Sequence, residues 1–334
     1  MDERSRRLLT ILVLVSAILT VGYLASHFGG AGKEVIRVVA ADGLAASFER
    51  MRAEFERLHP KVDVRLEVHG SLMLVRLVPL WNCDVVAVAD ARLIERVLAP
   101  NEATWAAQFG TTEIVLAGND SSRYGSEINT DNWYDVLLRK GVRYGYSDPS
   151  QDPCGYFTRL CWKLAQKHYS TPGHERRLYD ELVAGCPASH LRPDVLTLLS
   201  VLESRAALDY AFVYKCHAVD RHLPYTPLPK QINLGEPQHE AAYAAVEVTV
   251  PNYRGGVESI TGSYITFGIT IPSRAGHQVV AEEFVKFVLS ERGRSILLES
   301  AIQPISPAAV PKWCEVPAFL RGLAVPQAPA SGGP

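Results

Sequence analysis

Apolar and polar residues alternate with two different periods in the first part of the chain. Glu34–Ala41 is rich in β-branched residues, which predicts a buried strand. In Ser47–Leu58 the apolar residues recur at helical spacing, and Pro60 ends that run. Lys61–Val68 alternates strictly between apolar and polar residues, which predicts a second strand. The order strand, helix, strand predicts an α/β fold in which helices cover a parallel sheet.

The same rhythm continues along the chain. A helix over Leu72–Pro79 leads to a short apolar strand over Cys83–Ala89. Further strands are predicted at Thr112–Ala117, Val142–Tyr146, Tyr210–Tyr214, Ala245–Val250 and Ile265–Ile271. Ligands of such sheets bind at the carboxyl ends of the strands. The turns that contain Gly43 and Ser71 follow two of these ends, so they are candidate contact positions.

The chain is long enough for more than one such unit. At 334 residues it exceeds the usual size of one domain, and its 47% hydrophobic content suits sizeable cores. We predict two lobes with a ligand cleft between them that closes by hinge motion. The predicted ranges are residues 34–116 and 245–320 for lobe 1, 117–244 for lobe 2, and 321–334 for a disordered tail rich in Pro and Gly.

The N-terminus has a positively charged start followed by an apolar run. Arg4, Arg6 and Arg7 precede Leu8–Ala25, which is about long enough to span a bilayer as a helix. The positive charges predict that the N-terminus lies inside and the rest of the chain outside. We interpret residues 1–33 as a membrane anchor, or a cleaved signal, followed by a tether. The protein is therefore expected on the cell membrane facing outside, or in the periplasm or outside the cell if the segment is cleaved.

Charge and cysteine spacing argue against several functional classes. The net charge of −2 and the lack of a basic stripe give no reason to expect nucleic acid as a partner. The six cysteines lack the spacing of zinc ligands. One or two disulfides are allowed in an exported domain, but the spacing does not give their pairing. We expect a monomer without a cofactor.

The stretch SDPSQDPCGY, at Ser147–Tyr156, precedes a helical run. Asp152 lies where a helix N-cap is expected, and Pro153 takes the first helical position. One interpretation is an ordinary capped helix start. The other is an anion site, because N–H groups at a helix N-terminus point outward and favour negative charge. Cys154 at such a position could be a reactive thiol, but no histidine is clearly placed to pair with it, so the protein is not expected to be an enzyme.

Several stretches together resemble a known family. They are EINTDNWYDVL, SDPSQDPCGY, LDYAFVYK, LPKQINLGEP, ITFGITIP and AEEFVKFVLSERG. In this order and spacing they resemble the tungstate/molybdate-binding proteins of ABC importers, from about Val35 to about Pro307. The resemblance implies a type II periplasmic-binding-protein fold. It also implies that an oxyanion is held between two lobes, without bond-breaking chemistry, for delivery to an ABC permease.

The resemblance also implies which residues contact the ligand. It makes Ser71 a hydroxyl ligand and Tyr214 a further contact. It makes Asp152, flanked by Pro153 and Cys154, a ligand to the metal of the bound oxyanion. In this branch of the family, carboxylates can add to the coordination shell of that metal.

Two positions depart from the family pattern. The first turn of the family reads Ala-Gly-Ser-Leu, whereas this chain has Asp42 and Gly43 in the middle of that turn, so a hydroxyl is absent and an acid stands beside its position. The second carboxylate of the family lies in Arg-Pro-x-Glu, where this chain has Val195, with Asp194 one residue earlier. Three outcomes stay open. Asp42 and Asp194 replace the missing groups, the specificity has changed, or the site has decayed.

Each candidate residue also has a purely structural interpretation. Asp42, Ser71 and Asp194 suit helix caps, and Tyr214 suits a core position. His217 and His222 show no ligand pattern and are expected at the surface. The predicted function is capture of tungstate or molybdate for ABC-type import. The alternative is a membrane-tethered sensor or interaction protein that keeps the fold and binds another anion or none.

Overall fold

The structure is a computed structural model that describes residues 32–171, 173, 175–205, 207–252 and 256–327. The predicted anchor or signal run, Leu8–Ala25, lies outside the described residues. Within the described ranges, no helix combines the length and the apolar character needed to cross a membrane.

The strands of the described residues fall into three sheets. In chain order they are β1 (Glu34–Ala41), β2 (Val62–His69), β3 (Val85–Ala89), β4 (Ala107–Thr112), β5 (Ile114–Gly118), β6 (Tyr144–Gly145), β7 (Tyr210–Tyr214), β8 (Tyr225–Pro227), β9 (Glu247–Pro251), β10 (Val257–Thr261), β11 (Ile265–Thr270), β12 (Gln303–Val310) and β13 (Ala324–Pro326).

Helices connect these strands and cover the sheets. The α-helices of the described residues are α1 (Ala45–Leu58), α2 (Ser71–Leu77), α3 (Trp133–Leu137), α4 (Pro153–Tyr169), α5 (Leu178–Gly185), α6 (Val195–Glu203), α7 (Lys215–Asp220), α8 (Glu240–Tyr243), α9 (Gln278–Leu289) and α10 (Glu291–Glu299). A π-helical segment follows β3 at Ile94–Leu98.

The largest sheet has seven strands in the order β13-β12-β4-β11-β3-β1-β2. We call the layers around it lobe 1. Strand β1 is parallel to β2 and β3, as the sequence pattern predicts. Strand β11 is antiparallel to both β3 and β4. The parallel pairing predicted for the first three strands is therefore confirmed, and the sheet as a whole is mixed, because β11 runs in the opposite direction.

The second sheet has four strands in the order β6-β7-β5-β8, and we call the layers around it lobe 2. The chain enters it directly after β4, since only Glu113 separates β4 from β5. Strand β5 pairs antiparallel with β7, and β7 pairs parallel with β6. Strands β9 and β10 form a separate two-stranded sheet before the chain returns to lobe 1 at β11.

Both sheets are packed on apolar residues. The strands β3, β5 and β7 are buried along their whole length. Helix α4 buries large aromatic side chains, among them Phe157 and Trp162, against lobe 2. Part of the segment expected to be a disordered tail is ordered, because β13 pairs in parallel with β12 at Ala308–Val310.

Candidate functional site

The two lobes meet where β2 ends in lobe 1 and two helices begin in lobe 2. Gly70 precedes α2 and faces the starts of α4 and α6. A methyl group added to Gly70 would lie 3.3 Å from the carbonyl oxygen of Gln151, 3.8 Å from Cβ of Asp152 and 3.9 Å from Cβ of Asp194. A glycine at this position therefore lets the backbone of lobe 1 approach both predicted carboxylates of lobe 2.

Asp152 is the N-cap of α4, as predicted. Its Oδ1 atom accepts a hydrogen bond from the backbone N–H of Cys154 at 3.1 Å. The side chain is fully buried, and Oδ2 has no hydrogen-bond partner among the described residues. Burial, followed by the nearby Asp42 carboxylate, raises the pKa of Asp152 well above its usual value. Ser147 partly opposes this shift, although the two side chains lack the geometry of a hydrogen bond.

Asp42 lies in a 3₁₀ turn, Asp42–Leu44, between β1 and α1. Its Oδ1 atom accepts a hydrogen bond from the Gly43 N–H at 2.8 Å. The side chain is buried, and no described residue pairs with Oδ2. The N-cap of α1 is Leu44, so the interpretation of Asp42 as a cap of that helix is wrong. The intervening turn moves the carboxylate away from the α1 terminus and leaves one of its oxygens available.

Ser71 and Tyr214 meet at the end of β3. The Ser71 hydroxyl accepts a hydrogen bond from the backbone N–H of Ala89 at 2.9 Å, whereas Gly70 is the N-cap of α2. The cap interpretation of Ser71 is therefore wrong. Because the oxygen of Ser71 accepts, its hydrogen remains available to a ligand. The Tyr214 hydroxyl lies 3.5 Å from the carbonyl oxygen of Ala89, and its ring is fully buried, as the core interpretation predicts.

Asp194 is the N-cap of α6, as its structural interpretation predicts. It accepts a hydrogen bond from the Thr197 N–H at 2.7 Å and is half-buried. Asp194 and Asp152 both lie beside Gly70, with their Cβ atoms 3.9 Å and 3.8 Å from a methyl group added there, and Asp194 further raises the pKa of Asp152. Val195, the next residue, is fully buried in the hydrophobic core. The acidic side chain on this side of the site therefore belongs to Asp194.

Pro153 and Cys154 are the first two residues of α4, directly after its N-cap Asp152. The Cys154 thiol lies 3.9 Å from the carbonyl oxygen of Phe212, inside lobe 2. Burial, reinforced by Asp152, raises the pKa of Cys154 well above its usual value. A thiol with a raised pKa lacks the thiolate that a nucleophile requires. The structure thus gives no support to the idea of a reactive cysteine at this helix start.

Two residues near these groups were not among the sequence candidates. His217 was expected at the surface, but it is buried, with Nε2 3.7 Å from Oδ1 of Asp42. His222 is exposed as expected. The Ser147 hydroxyl is also buried and unpaired among the described residues. The sequence feature that pointed to burial of His217 is its position in the first helical turn after Tyr214.

Hydrogen bonds between the lobes lie beside the site. The Tyr156 hydroxyl of α4 donates to Oδ2 of Asp90 at 2.6 Å. Burial opposes ionisation of Asp90, but the adjacent Arg92 and the Tyr156 hydroxyl outweigh it and hold the pKa of Asp90 below its usual value. Arg76 of α2 donates to the carbonyl oxygen of Ser150 at 3.0 Å. The lobes are therefore in direct contact around the site.

The fold and this site define a class of protein. Two α/β lobes, joined by chain crossings and lined with buried polar groups where they meet, are the architecture of a type II periplasmic-binding protein. Such proteins hold a solute between their lobes.

The comparisons identify the family within that class. The profile of the bacterial extracellular solute-binding proteins matches residues 36–300. The chain belongs to this family and is a solute-binding protein, so the resemblance drawn from its sequence is confirmed. It is 32% identical over 341 residues to the molybdate/tungstate-binding protein WtpA of Pyrococcus abyssi, covering 94% of this chain and 97% of that one. It is 38% identical over 276 residues to an uncharacterized solute-binding protein of Petrotoga mobilis, covering 81% and 84%.

Solved structures share the fold. The periplasmic molybdate-binding protein of Azotobacter vinelandii matches with a TM-score of 0.57 at 16% identity, covering 80% of this chain and 98% of that one. The sulfate-binding protein SubI of Mycobacterium tuberculosis matches with a TM-score of 0.56 at 14% identity, covering 82% and 88%. At these identities the likeness establishes the two-lobed α/β fold alone.

Proposed function

We propose that the chain binds a tetrahedral oxyanion, tungstate or molybdate, between its lobes and delivers it to an ABC permease. The observation that carries this proposal is a pair of buried carboxyl oxygens that no described residue pairs with, Oδ2 of Asp42 in lobe 1 and Oδ2 of Asp152 in lobe 2. The similarity to WtpA of Pyrococcus abyssi, a molybdate/tungstate-binding protein, supports the choice of ligand. The N-terminal run would tether the protein, as a monomer, on the outer face of the cell membrane.

Acidic side chains at the site favour a metal oxyanion over sulfate. Two unit charges 4 Å apart repel by about 4 kcal/mol at an effective dielectric constant of 20. A carboxylate facing a sulfate oxygen keeps that penalty, whereas a carboxylate that enters the coordination shell of tungsten or molybdenum gains a bond. We assign this role to Asp152, with Asp42 or Asp194 as the second acid. The raised pKa of Asp152 favours its neutral form in the ligand-free site, so an incoming dianion meets less negative charge, and the proton is released when the carboxylate joins the metal.

Groups without full charge complete the proposed site. The N-termini of α4 and α6 face the meeting point of the lobes, and helix N-termini favour anions. The Ser71 hydroxyl retains a hydrogen that can bond to an oxyanion oxygen. Tyr214 closes the site from the end of β7. The ligand would therefore be held by dipoles and hydroxyls as well as by metal coordination.

Thermal unfolding of the full-length protein in mild detergent tests the proposal. A ligand present at 100 times its Kd stabilises the native state by about 2.7 kcal/mol, which corresponds to roughly 5 °C for a protein of this size class. Tungstate and molybdate should raise the melting temperature, and sulfate and phosphate should do so less. No shift with any of the four would refute the proposal.

A second candidate function rests on Gly43 and Val195. Gly43 offers no hydroxyl and Val195 is buried and apolar, where the related pattern has polar groups. A sensor or interaction protein that binds another anion, or none, fits these two changes. Reading frames for a permease and an ATPase next to the gene would favour import, and their absence would favour this alternative.

A further inference from the structure

His217 is a buried polar side chain whose two ring nitrogens no described residue satisfies. It is 4% exposed, and neither Nδ1 nor Nε2 has a hydrogen-bond partner among the described residues. A neutral imidazole carries one N–H donor in either tautomer, and the charged form carries two. Buried donors are almost always paired in folded proteins. An imidazole at this depth without a partner among the described residues therefore points to a bound molecule as its partner.

The position of His217 connects it to the proposed oxyanion site. Helix α7 begins directly after Tyr214, and the two rings lie nearly parallel, with 5.6 Å between centroids and an interplanar angle of 9°. Tyr214 in turn packs on Gly43, since a methyl group added there would lie 3.3 Å from Cδ2 of Tyr214. The ring of Tyr214 therefore separates His217 from the turn at Gly43, where the family pattern has a hydroxyl.

Asp42 is the acid nearest to His217. The distance of 3.7 Å from Nε2 of His217 to Oδ1 of Asp42 is an electrostatic contact but exceeds a hydrogen bond. Asp42 belongs to lobe 1, whereas His217 belongs to lobe 2. Asp42 therefore holds the ring in place from across the interface and leaves its N–H groups unused.

The other acid close to His217 already has partners. Asp220, one turn further along α7, accepts a hydrogen bond from the Ser300 hydroxyl at 2.9 Å. It also lies 3.6 Å from Nη2 of Arg50. Asp220 does not need His217 as a donor, so a structural ion pair within lobe 2 does not explain why the imidazole is buried.

We propose that His217 determines ligand affinity and selectivity by donating an imidazole N–H to an oxygen of the bound oxyanion, in place of the hydroxyl that Gly43 lacks. This inference rests on the proposed function. Tyr214 orients the ring by stacking, and Asp42 positions it from lobe 1. The contact requires only one N–H, which every form of the imidazole supplies.

The test compares three variants of the full-length protein in mild detergent by calorimetric titration with tungstate, molybdate and sulfate. His217→Phe keeps an aromatic ring against Tyr214 and removes the donor. His217→Gln keeps an N–H donor and removes the ring. His222→Gln, an exposed position five residues further on, is the control. We expect His217→Phe to weaken tungstate binding at least ten-fold, which is about 1.4 kcal/mol, His217→Gln to weaken it less, and the control to match the wild type.

Melting temperatures of the ligand-free variants separate a binding role from a structural one. His217→Phe removes two unpaired buried nitrogens, so its ligand-free melting temperature should equal or exceed that of the wild type. A loss of affinity with a matching loss of stability, without rescue by glutamine, would show that the role is structural and overturn the inference. Unchanged affinity in His217→Phe would overturn it and leave the proposed function intact. If the wild-type protein binds no oxyanion, both the proposed function and this inference are wrong.

Discussion

Replacing Asp152 with Asn tests the electrostatics of the site in the absence of ligand. Asp152 is fully buried, and its pKa is raised well above the usual value, first by burial and then by Asp42. Asn is as good an N-cap as Asp, so the hydrogen bond from the Cys154 N–H is retained. The substitution therefore removes a titrating group and leaves the start of α4 capped.

The sign of the effect follows from proton binding. An Asp in the unfolded chain has a pKa of about 3.9, whereas the pKa of folded Asp152 is higher. Between these two pKa values the folded protein keeps a proton on Asp152 that the unfolded chain has released. Asp152 therefore favours the native state fully below about pH 4, and this contribution is lost as the pH rises through the folded pKa. Over that interval the free energy of unfolding falls by up to about 1.4 kcal/mol per pH unit. Asp152→Asn lacks this decline, so it should be more stable than the wild type at neutral pH, with a difference that grows from about pH 4 upward.

Urea unfolding of ligand-free protein, followed by the fluorescence of its five tryptophans, measures the difference at a series of pH values. Asp148→Asn is a matched control from the same loop. Burial opposes ionisation of Asp148, but hydrogen bonds from Ser150 and Gln151 outweigh it and hold the pKa of Asp148 below its usual value. This control should lose stability at neutral pH, and the loss should shrink as the pH falls toward the folded pKa of Asp148. If Asp152→Asn were less stable than the wild type at every pH, the reasoning would be refuted.

Three further predictions concern packing and the contact between lobes. Tyr156→Phe removes the hydrogen bond to Asp90 and should cost about 1.5–3 kcal/mol in urea unfolding; no loss would contradict its bridging role. Gly155→Ala puts a methyl group 2.2 Å from a backbone carbonyl oxygen and should cost about 3 kcal/mol or more, whereas Gly276→Ala, which meets nothing closer than 4.0 Å, should melt like the wild type. Gly43→Ser places a Cβ atom 3.3 Å from the rings of Phe267 and Tyr214 and should lower the free energy of unfolding by about 1–3 kcal/mol. An unchanged melting temperature would show that the two rings move aside without cost.

Local patterns predicted much of the fold, and tertiary pairing accounts for what they missed. The bounds of β1 and β7 match the predicted strands, because buried β-branched and aromatic runs mark them in the sequence. Strand β4, with the sequence AQFGTT, was missed because it has neither alternation nor an apolar run. Its burial comes from β11 and β12, which lie more than a hundred residues away in the chain.

The same distinction applies to the candidate site. The caps at Asp152 and Asp194 were predictable, because capping depends on residues within one helical turn. The burial of Asp42 and His217 was not predictable, because these two side chains lie far apart in the chain and meet across the interface between the lobes. Of the two interpretations of Ser71, ligand contact or helix cap, the cap is wrong, because its hydroxyl pairs with Ala89 of a neighbouring strand.

All six cysteines are free thiols, and five of them are buried. Burial raises the pKa of Cys83 to about 11 and that of Cys186 to about 12, so these native thiols carry little of the reactive thiolate form. The family is extracellular, and outside the cell an unfolded molecule meets oxidants. Disulfides formed in that state have no counterpart in the native fold, so each global unfolding event can become permanent. The working lifetime of this protein is then governed by how rarely it unfolds, rather than by how readily it refolds.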